Sequence, residues 1–211
     1  MRAVILTVTL NTALDVTYVV DSLLPRASHR VGAVHERAGG KGVNVARVLH
    51  ALGHPAVVTG FFGGATGDRV RKELRAAGLV DQLVPRAADS RRTLTVVSRD
   101  DGDATVFNES GGPVRSGEWQ VFTRHYRRLL RDADAVVLCG SLPPGLPDDA
   151  YGQLIALAGA AGVPTVLDTS GPALRAALPA GPDVVKPNSA ELAAATGQSD
   201  PAAAAAELRA A

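Results

Sequence analysis

The sequence predicts an α/β fold: a mostly parallel sheet flanked by helices, with a few extra strands set apart from it. Two observations carry this. From residue 135 onward, short runs rich in β-branched residues alternate with longer stretches of helical periodicity, the rhythm of successive βαβ units. Nearer the N-terminus, short stretches of alternating apolar and polar residues bracket that rhythm, as partly exposed strands do.

Taken in order, residues 3–10 read as a buried strand, because β-branched residues dominate them. Residues 15–20 and 29–36 alternate on either side of a Leu-Pro turn and read as partly exposed strands. A glycine-rich loop at 39–42 follows, and a helix begins directly after it. Val45, Val48, Leu49 and Leu52 recur at i, i+3, i+4 and i+7, the spacing that marks this helix. Residues 56–62 form a second buried strand. Residues 66–77 form a helix with Val70, Leu74 and Ala77 inward, stopped by Gly78. Residues 93–98 and 104–108 flank Arg99-Asp100-Asp101-Gly102-Asp103 and read as a β-hairpin. Residues 116–131 form a helix with Trp119, Phe122, Tyr126 and Leu129 on one side. Then come strand 135–139, helix 149–161, strand 164–167, a short helix near Leu174, strand 184–185 and a helix from Ser189. The alanine-rich tail from Pro201 is a good helix former.

Composition narrows the function. The chain has 211 residues, enough for a real core. Its 22 cationic and 21 acidic side chains leave a formal charge of +1, which argues against a nucleic-acid or membrane-surface protein. The opening apolar run is shorter than a signal peptide or a membrane span requires. A single cysteine, Cys139, forms no internal disulfide, so a reducing cytoplasm is expected. The five histidines show no metal-binding spacing, and Cys139 at a strand end reads as core.

The most informative segment is Gly39-Gly40-Lys41-Gly42-Val43-Asn44. Glycines let a backbone approach a ligand closely, and lysine adds a compact point charge suited to phosphate. The start of a helix directs free N–H groups and a partial positive charge the same way. Together they describe an anion site, and a small phosphorylated ligand is expected there. Lys41 is followed by glycine rather than Ser or Thr, so this is not a Walker loop.

In open α/β sheets, ligands bind beyond the carboxyl ends of the strands. Three strands here end in polar or glycine-rich sequence: Gly140-Ser141-Leu142-Pro143-Pro144-Gly145, Asp168-Thr169-Ser170-Gly171 and Lys186-Pro187-Asn188-Ser189-Ala190-Glu191. Each also has a structural reading. The first is a rigid connection, Asp168 caps the helix after it, and Asn188 with Glu191 forms a capping box. In the functional reading, Asn188 and Glu191 share a helical face and serve magnesium and nucleotide phosphate, with Asp168 nearby and Lys186 meeting a phosphate. Asp15 follows the first strand and suits sugar hydroxyls. Arg91 and Arg92 suit a bidentate phosphate clamp. Gly64-Ala65-Thr66-Gly67-Asp68 reads as the opening of an ordinary amphipathic helix rather than as a source of a catalytic base.

In sum, the chain resembles the ribokinase-like (PfkB) carbohydrate kinases. Within them it is most similar to bacterial 1-phosphofructokinases and tagatose-6-phosphate kinases. The resemblance rests on Thr9-Leu10-Asn11-Thr12-Ala13-Leu14-Asp15, residues 39–44, Phe107-Asn108-Glu109-Ser110-Gly111, residues 140–145, Asp168-Thr169-Ser170-Gly171, and Lys186-Pro187-Asn188 with Glu191. It implies one ribokinase-like domain over residues 1–211, with a small β lid formed by strands near 15–20, 29–36, 93–98 and 104–108. It implies that Asp15, Gly39, Gly40 and Asn44 hold the sugar, that Lys41 and Arg92 hold its existing phosphate, and that Lys186, Asn188 and Glu191 serve ATP. Mg2+ would be held by Glu191 and Asp168.

The implied reaction is ATP-dependent phosphorylation of a ketohexose phosphate, fructose 1-phosphate to fructose 1,6-bisphosphate, with tagatose 6-phosphate as the other acceptor. The implied assembly is a homodimer through the lid. The family's catalytic base sits in a Gly-Ala-Gly-Asp motif that this sequence does not contain. The 211-residue chain alone is therefore expected to be nearly inactive, or to act as a non-catalytic binder of sugar phosphate.

Overall fold

A computed structural model describes residues 3–210. The larger sheet has seven strands in the order β11-β10-β9-β1-β4-β5, with β6 also pairing β4, and every pairing is parallel. These strands are β1 (Ile5–Thr9), β4 (Ala56–Phe62), β5 (Val80–Asp81), β6 (Val84–Pro85), β9 (Ala135–Cys139), β10 (Thr165–Asp168) and β11 (Val184–Val185). The smaller sheet has the order β3-β2-β7-β8, from β2 (Ala13–Val20), β3 (Ala33–Gly39), β7 (Arg91–Ser98) and β8 (Ala104–Asn108). Its β2–β3 and β7–β8 pairs are antiparallel, but β2 and β7 run parallel.

Helices cover both faces of the larger sheet, as parallel strands buried on two sides require. On one face lie α3 (Ser116–Leu129), α4 (Ala150–Ala160) and α5 (Gly171–Ala177). Their core holds Leu6, Val8, Phe61, Phe122, Tyr126, Val136, Leu138, Tyr151, Leu154 and Leu167. Phe61 and Phe122 pack with ring centroids 4.9 Å apart, and Trp119 stacks on Phe122 at 5.6 Å. On the other face, α1 (Lys41–Ala51) and α2 (Gly64–Ala76) pack through Val43, Ala46, Val70 and Leu74, which also meet Leu14, Val16 and Ala38 of the smaller sheet. Two further helices, α6 (Ser189–Thr196) and α7 (Pro201–Ala210), finish the described chain.

Several expectations need correction. The strand expected from residue 29 begins at Ala33 and runs on to Gly39, so it delivers the chain directly into the glycine loop. The two short strands β5 and β6 carry no sequence signal beyond a few apolar residues. The face that α1 buries departs from its apolar spacing. Gly42, Val43 and Ala46 are its buried residues, whereas Val48 and Leu52 are 59% and 69% exposed. The reason is how closely the helix approaches the sheet: a Cβ on Gly42 would lie 2.5 Å from Thr9 Oγ1 and 3.1 Å from Val8 O. Only the smallest residues fit at that contact; Val43 is buried beside it, Leu49 packs partly against the same core, and Val48 and Leu52 turn outward.

Candidate functional site

The parallel register brings the carboxyl ends of β1, β9, β10 and β11 to one edge, where α1 also begins. Gly40 precedes α1 with φ of 112°, a conformation that glycine alone adopts readily. Gly39 allows an equally close approach: a Cβ there would sit 2.1 Å from the Asp15 carboxylate, so the side chain of Asp15 rests directly on the loop. Asn44 lies one turn into α1, where its backbone N–H bonds to Gly40 O at 3.0 Å.

Lys41 opens the helix toward the strand ends. Its Nζ lies 2.9 Å from Asp168 Oδ1 and 3.7 Å from Glu191 Oε1. Lys186 Nζ reaches the other Asp168 oxygen at 3.3 Å. Two lysines and two carboxylates thus form one balanced cluster from three separate segments. Burial opposes the Lys41 charge, but the hydrogen bond and charge of Asp168, with Glu191 behind it, outweigh that and raise the ammonium's pKa.

Asn188 and Glu191 do form a capping box. Asn188 Oδ1 accepts from Glu191 N at 2.8 Å and Glu191 Oε2 accepts from Asn188 N at 2.9 Å, which leaves Glu191 Oε1 toward Lys41. The structural reading of this pair and its placement in the cluster hold together.

Behind the cluster, Tyr151 fixes the end of β9. Its hydroxyl donates to Cys139 O at 2.9 Å and Gly140 O at 3.1 Å, while Thr169 Oγ1 donates to Gly140 O at 2.8 Å. Cys139 is buried, and burial pushes its thiol up to about 12, consistent with a core role.

The two arginines part company. The β2–β7 register places Arg91 and Thr93 on the face of the smaller sheet that carries Asp15, whereas Arg92 turns to the other face. Arg92 pairs with Glu109 at 2.9 Å and borders an apolar cavity of about 330 Å³ with Tyr18, Leu94 and Phe107, whose lining shares no residue with the cleft at Lys41. Arg91 instead lines a cleft of about 250 Å³ together with Thr9, Asn11, Lys41, Ser141 and Glu191. So the arginine at the cleft is Arg91, and the clamp position assigned to Arg92 from the resemblance faces elsewhere. Strand alternation held the signal: an arginine two residues before Thr93, the partner of Asp15, shares their face. Burial lifts the Asp15 carboxyl above its ordinary pKa, while Arg37 and Arg91 pull it back down. Asn11 and Ser141 at the cleft were also missed, because neither stands out from ordinary turn residues.

The donor set suits a weakly coordinated divalent cation. Asp168 and Glu191 already share one cationic group, Lys41, and magnesium needs only one or two carboxylates because it keeps most of its waters. Among the described residues no cluster of three or more His, Cys, Asp or Glu forms a dedicated metal cage.

The profile of the pfkB family carbohydrate kinases matches residues 6–211. A possible 1-phosphofructokinase from Thermotoga maritima is 31% identical, with a TM-score of 0.83 over 88% of this chain. Phosphofructokinase-2 from Escherichia coli, in its tetrameric inhibited form, is 31% identical with a TM-score of 0.89 over 99% of this chain. The same enzyme in complex with fructose-6-phosphate gives 30% and 0.89. This chain spans 60% of the length of the Thermotoga protein and 70% of phosphofructokinase-2.

Proposed function

The chain belongs to the pfkB family of carbohydrate kinases, and on that footing we propose that it binds a phosphorylated ketohexose for ATP-dependent transfer of the γ-phosphoryl group to a free primary hydroxyl. The acceptor is fructose 1-phosphate and the product fructose 1,6-bisphosphate. The observation that carries this reading is the balanced cluster of Lys41, Asp168, Lys186 and Glu191, of which Lys41 and Glu191 line a cleft that Arg91 lines too.

In this reading Asp15, held against Gly39, accepts hydrogen bonds from sugar hydroxyls, and the Gly40 and Asn44 region closes around the same sugar. Lys41 and Arg91 hold the existing phosphate, the guanidinium by a bidentate contact and the ammonium as a point charge. Lys186, with Asn188 and Glu191, faces the nucleotide phosphates. Asp168 and Glu191 would hold magnesium through its waters, and the bound ion would supply neutralisation of phosphate charge. The smaller sheet excludes water that would otherwise take the phosphoryl group. The apolar patch of Tyr18, Leu94 and Phe107, on the face opposite Asp15, serves for homodimer formation, and Phe107→Asp should leave a monomer in light scattering. The setting is cytoplasmic. No helix among the described residues is long and apolar enough to cross a membrane.

The 211-residue chain alone turns over slowly, because its sequence does not contain the Gly-Ala-Gly-Asp motif that carries the family's base. Calorimetry with fructose 1-phosphate and with tagatose 6-phosphate tests binding and acceptor choice, and coupled ADP release tests turnover. Absence of binding to either sugar phosphate at millimolar ligand sinks the reading. Turnover equal to that of phosphofructokinase-2 refutes the slow-turnover part alone.

A further inference from the structure

Among the described residues, the buried side-chain polar atoms that lack a hydrogen-bond partner include Thr9 Oγ1 and Asn11 Oδ1, both from the end of β1 at the cleft. The two differ in what covers them. Thr9 Oγ1 is roofed by the first turn of α1, where a Cβ on Gly42 would lie 2.5 Å away. Asn11 Oδ1 lies instead beside the glycine backbone of residue 111. A Cβ on Gly111 would fall 2.6 Å from it, and Gly111 holds φ of 86° beside a second glycine, Gly112. This segment links β8 to α3 and is the return path of the smaller sheet into the core.

The rest of Asn11 is pinned. The residue is 4% exposed. Its Nδ2 donates to Ser110 O at 3.1 Å and to Ser141 Oγ at 3.2 Å, and its main-chain oxygen accepts from Arg91 Nε at 3.2 Å. The side chain therefore cannot turn away to find a partner for its carbonyl oxygen. Asn11 and Ser141 also form the partition between the cleft that holds Lys41 and an adjoining one of about 440 Å³ bordered by Ser110 and Asp148. A ligand anchored at Lys41 and extending past the partition meets this residue.

A buried acceptor without a donor is costly, and native structures rarely keep one unless something supplies the missing group. An amide oxygen can only accept. Its missing partner is then a hydroxyl or N–H, never an ionised phosphate oxygen. We propose that Asn11 is a specificity-determining residue of the sugar site: its Oδ1 takes a hydrogen bond from a hydroxyl of the bound polyol phosphate as the Gly111 backbone draws back. This rests on the sugar-phosphate reading above and adds to it the residue that tells a sugar phosphate from phosphate alone, whose charge Lys41 and Arg91 hold.

The test is calorimetry of the wild-type chain and Asn11→Ala against fructose 1-phosphate and, separately, inorganic phosphate. The quantity read is the ratio of the two affinities. Asn11→Ala should lower that ratio about tenfold, the value of one lost hydrogen bond to a ligand, with phosphate affinity changed less than about twofold. An unchanged ratio, or equal weakening toward both ligands, overturns the proposal.

Should Asn11→Ala fail to fold, the wild-type protein still decides. The Asn11 side-chain amide resonance should shift with fructose 1-phosphate and not with inorganic phosphate, and a resonance unmoved by the sugar overturns the assignment. Wild-type protein that binds inorganic phosphate but not the sugar phosphate removes the sugar-phosphate reading itself, and this inference with it.

Discussion

Replacing Asp168 by Asn removes the one carboxylate that Lys41 and Lys186 share, at 2.9 Å and 3.3 Å. Two effects compete, and magnitudes decide between them. The first is stability. The Asp168 side chain is only 13% exposed, but the lysines are 46% and 62% exposed, so solvent screens both pairs. Each such pair is worth about 0–1 kcal/mol, and the loss should lower the melting temperature by less than about 8 °C. The second effect is the charge of the site. Lys41 and Lys186 balance Asp168 and Glu191, and the substitution leaves one net positive charge. A charge about 4 Å from a bound phosphate is worth about 1 kcal/mol even at the dielectric of water, which is about fivefold in affinity.

Asp168→Asn should therefore stay folded and bind inorganic phosphate about fivefold more tightly at low salt. The gain should shrink at about 1 M salt, where the Debye length is about 3 Å. Binding of MgATP should weaken instead, because a carboxylate offered to the hydrated ion has gone. Calorimetry with each ligand at two salt concentrations reads both signs. Weaker phosphate binding by the variant would refute the charge argument and show that Asp168 acts chiefly by holding Lys41 in place.

Other expectations are more local. Gly60 holds φ of 148° where β4 passes β1, and a Cβ there would lie 1.9 Å from Thr9 O. Gly60→Ala should cost about 3 kcal/mol or more, seen as a large fall in the urea midpoint, and a near-native midpoint would contradict the packing. Tyr151→Phe removes two hydrogen bonds to the end of β9 and should cost about 1–3 kcal/mol, read as a lowered melting temperature. Cys139, buried and with its thiol raised to about 12, should resist iodoacetamide in native protein at neutral pH and react once urea unfolds the chain.

His125 is held below its ordinary 6.5 by burial first, with Arg128 acting the same way against a hydrogen bond to Gln82 O. The unfolded chain then binds the proton more readily, so stability present above about pH 6.5 is lost as the pH falls. His125→Gln should flatten that slope in denaturation series from about pH 7 to pH 5.

The strands and helices from residue 135 onward are legible in the sequence because a parallel sheet needs both faces covered, and that need writes a plain alternation. The glycine loop is legible because glycine beside lysine ahead of helical periodicity has few other uses. At α1 periodicity marks the helix but not the face it buries. It records that Val45, Val48, Leu49 and Leu52 share one side, but the helix packs where it can come closest, and that is through Gly42 and Ala46. The arginine at the cleft was misassigned for a related reason. A motif places Arg91 and Arg92 together, and only the pleat of β7, fixed by its register with β2, separates them. Asn11 stands in the sequence only as part of the motif from Thr9 to Asp15, since its own significance lies in a partner its oxygen lacks.

The parallel pairing of β2 with β7 sets an order of assembly. Ala13 aligns with Arg91 and Val20 with Ser98, and the chain between them contains β3, α1, β4, α2 and two short strands. Two strands that run the same way cannot zip from a tight turn. Their union waits for the intervening βαβα unit to compact and bring distant ends together, a closure whose entropy local contacts cannot offset. Arg91 reaches the neighbourhood of Asp15 only at that late step. A nascent polypeptide would then acquire its lysine-bearing helix well before its carbohydrate-facing wall, and pulse-labelled exchange should find the amides of β1 and β4 protected ahead of those joining β2 to β7.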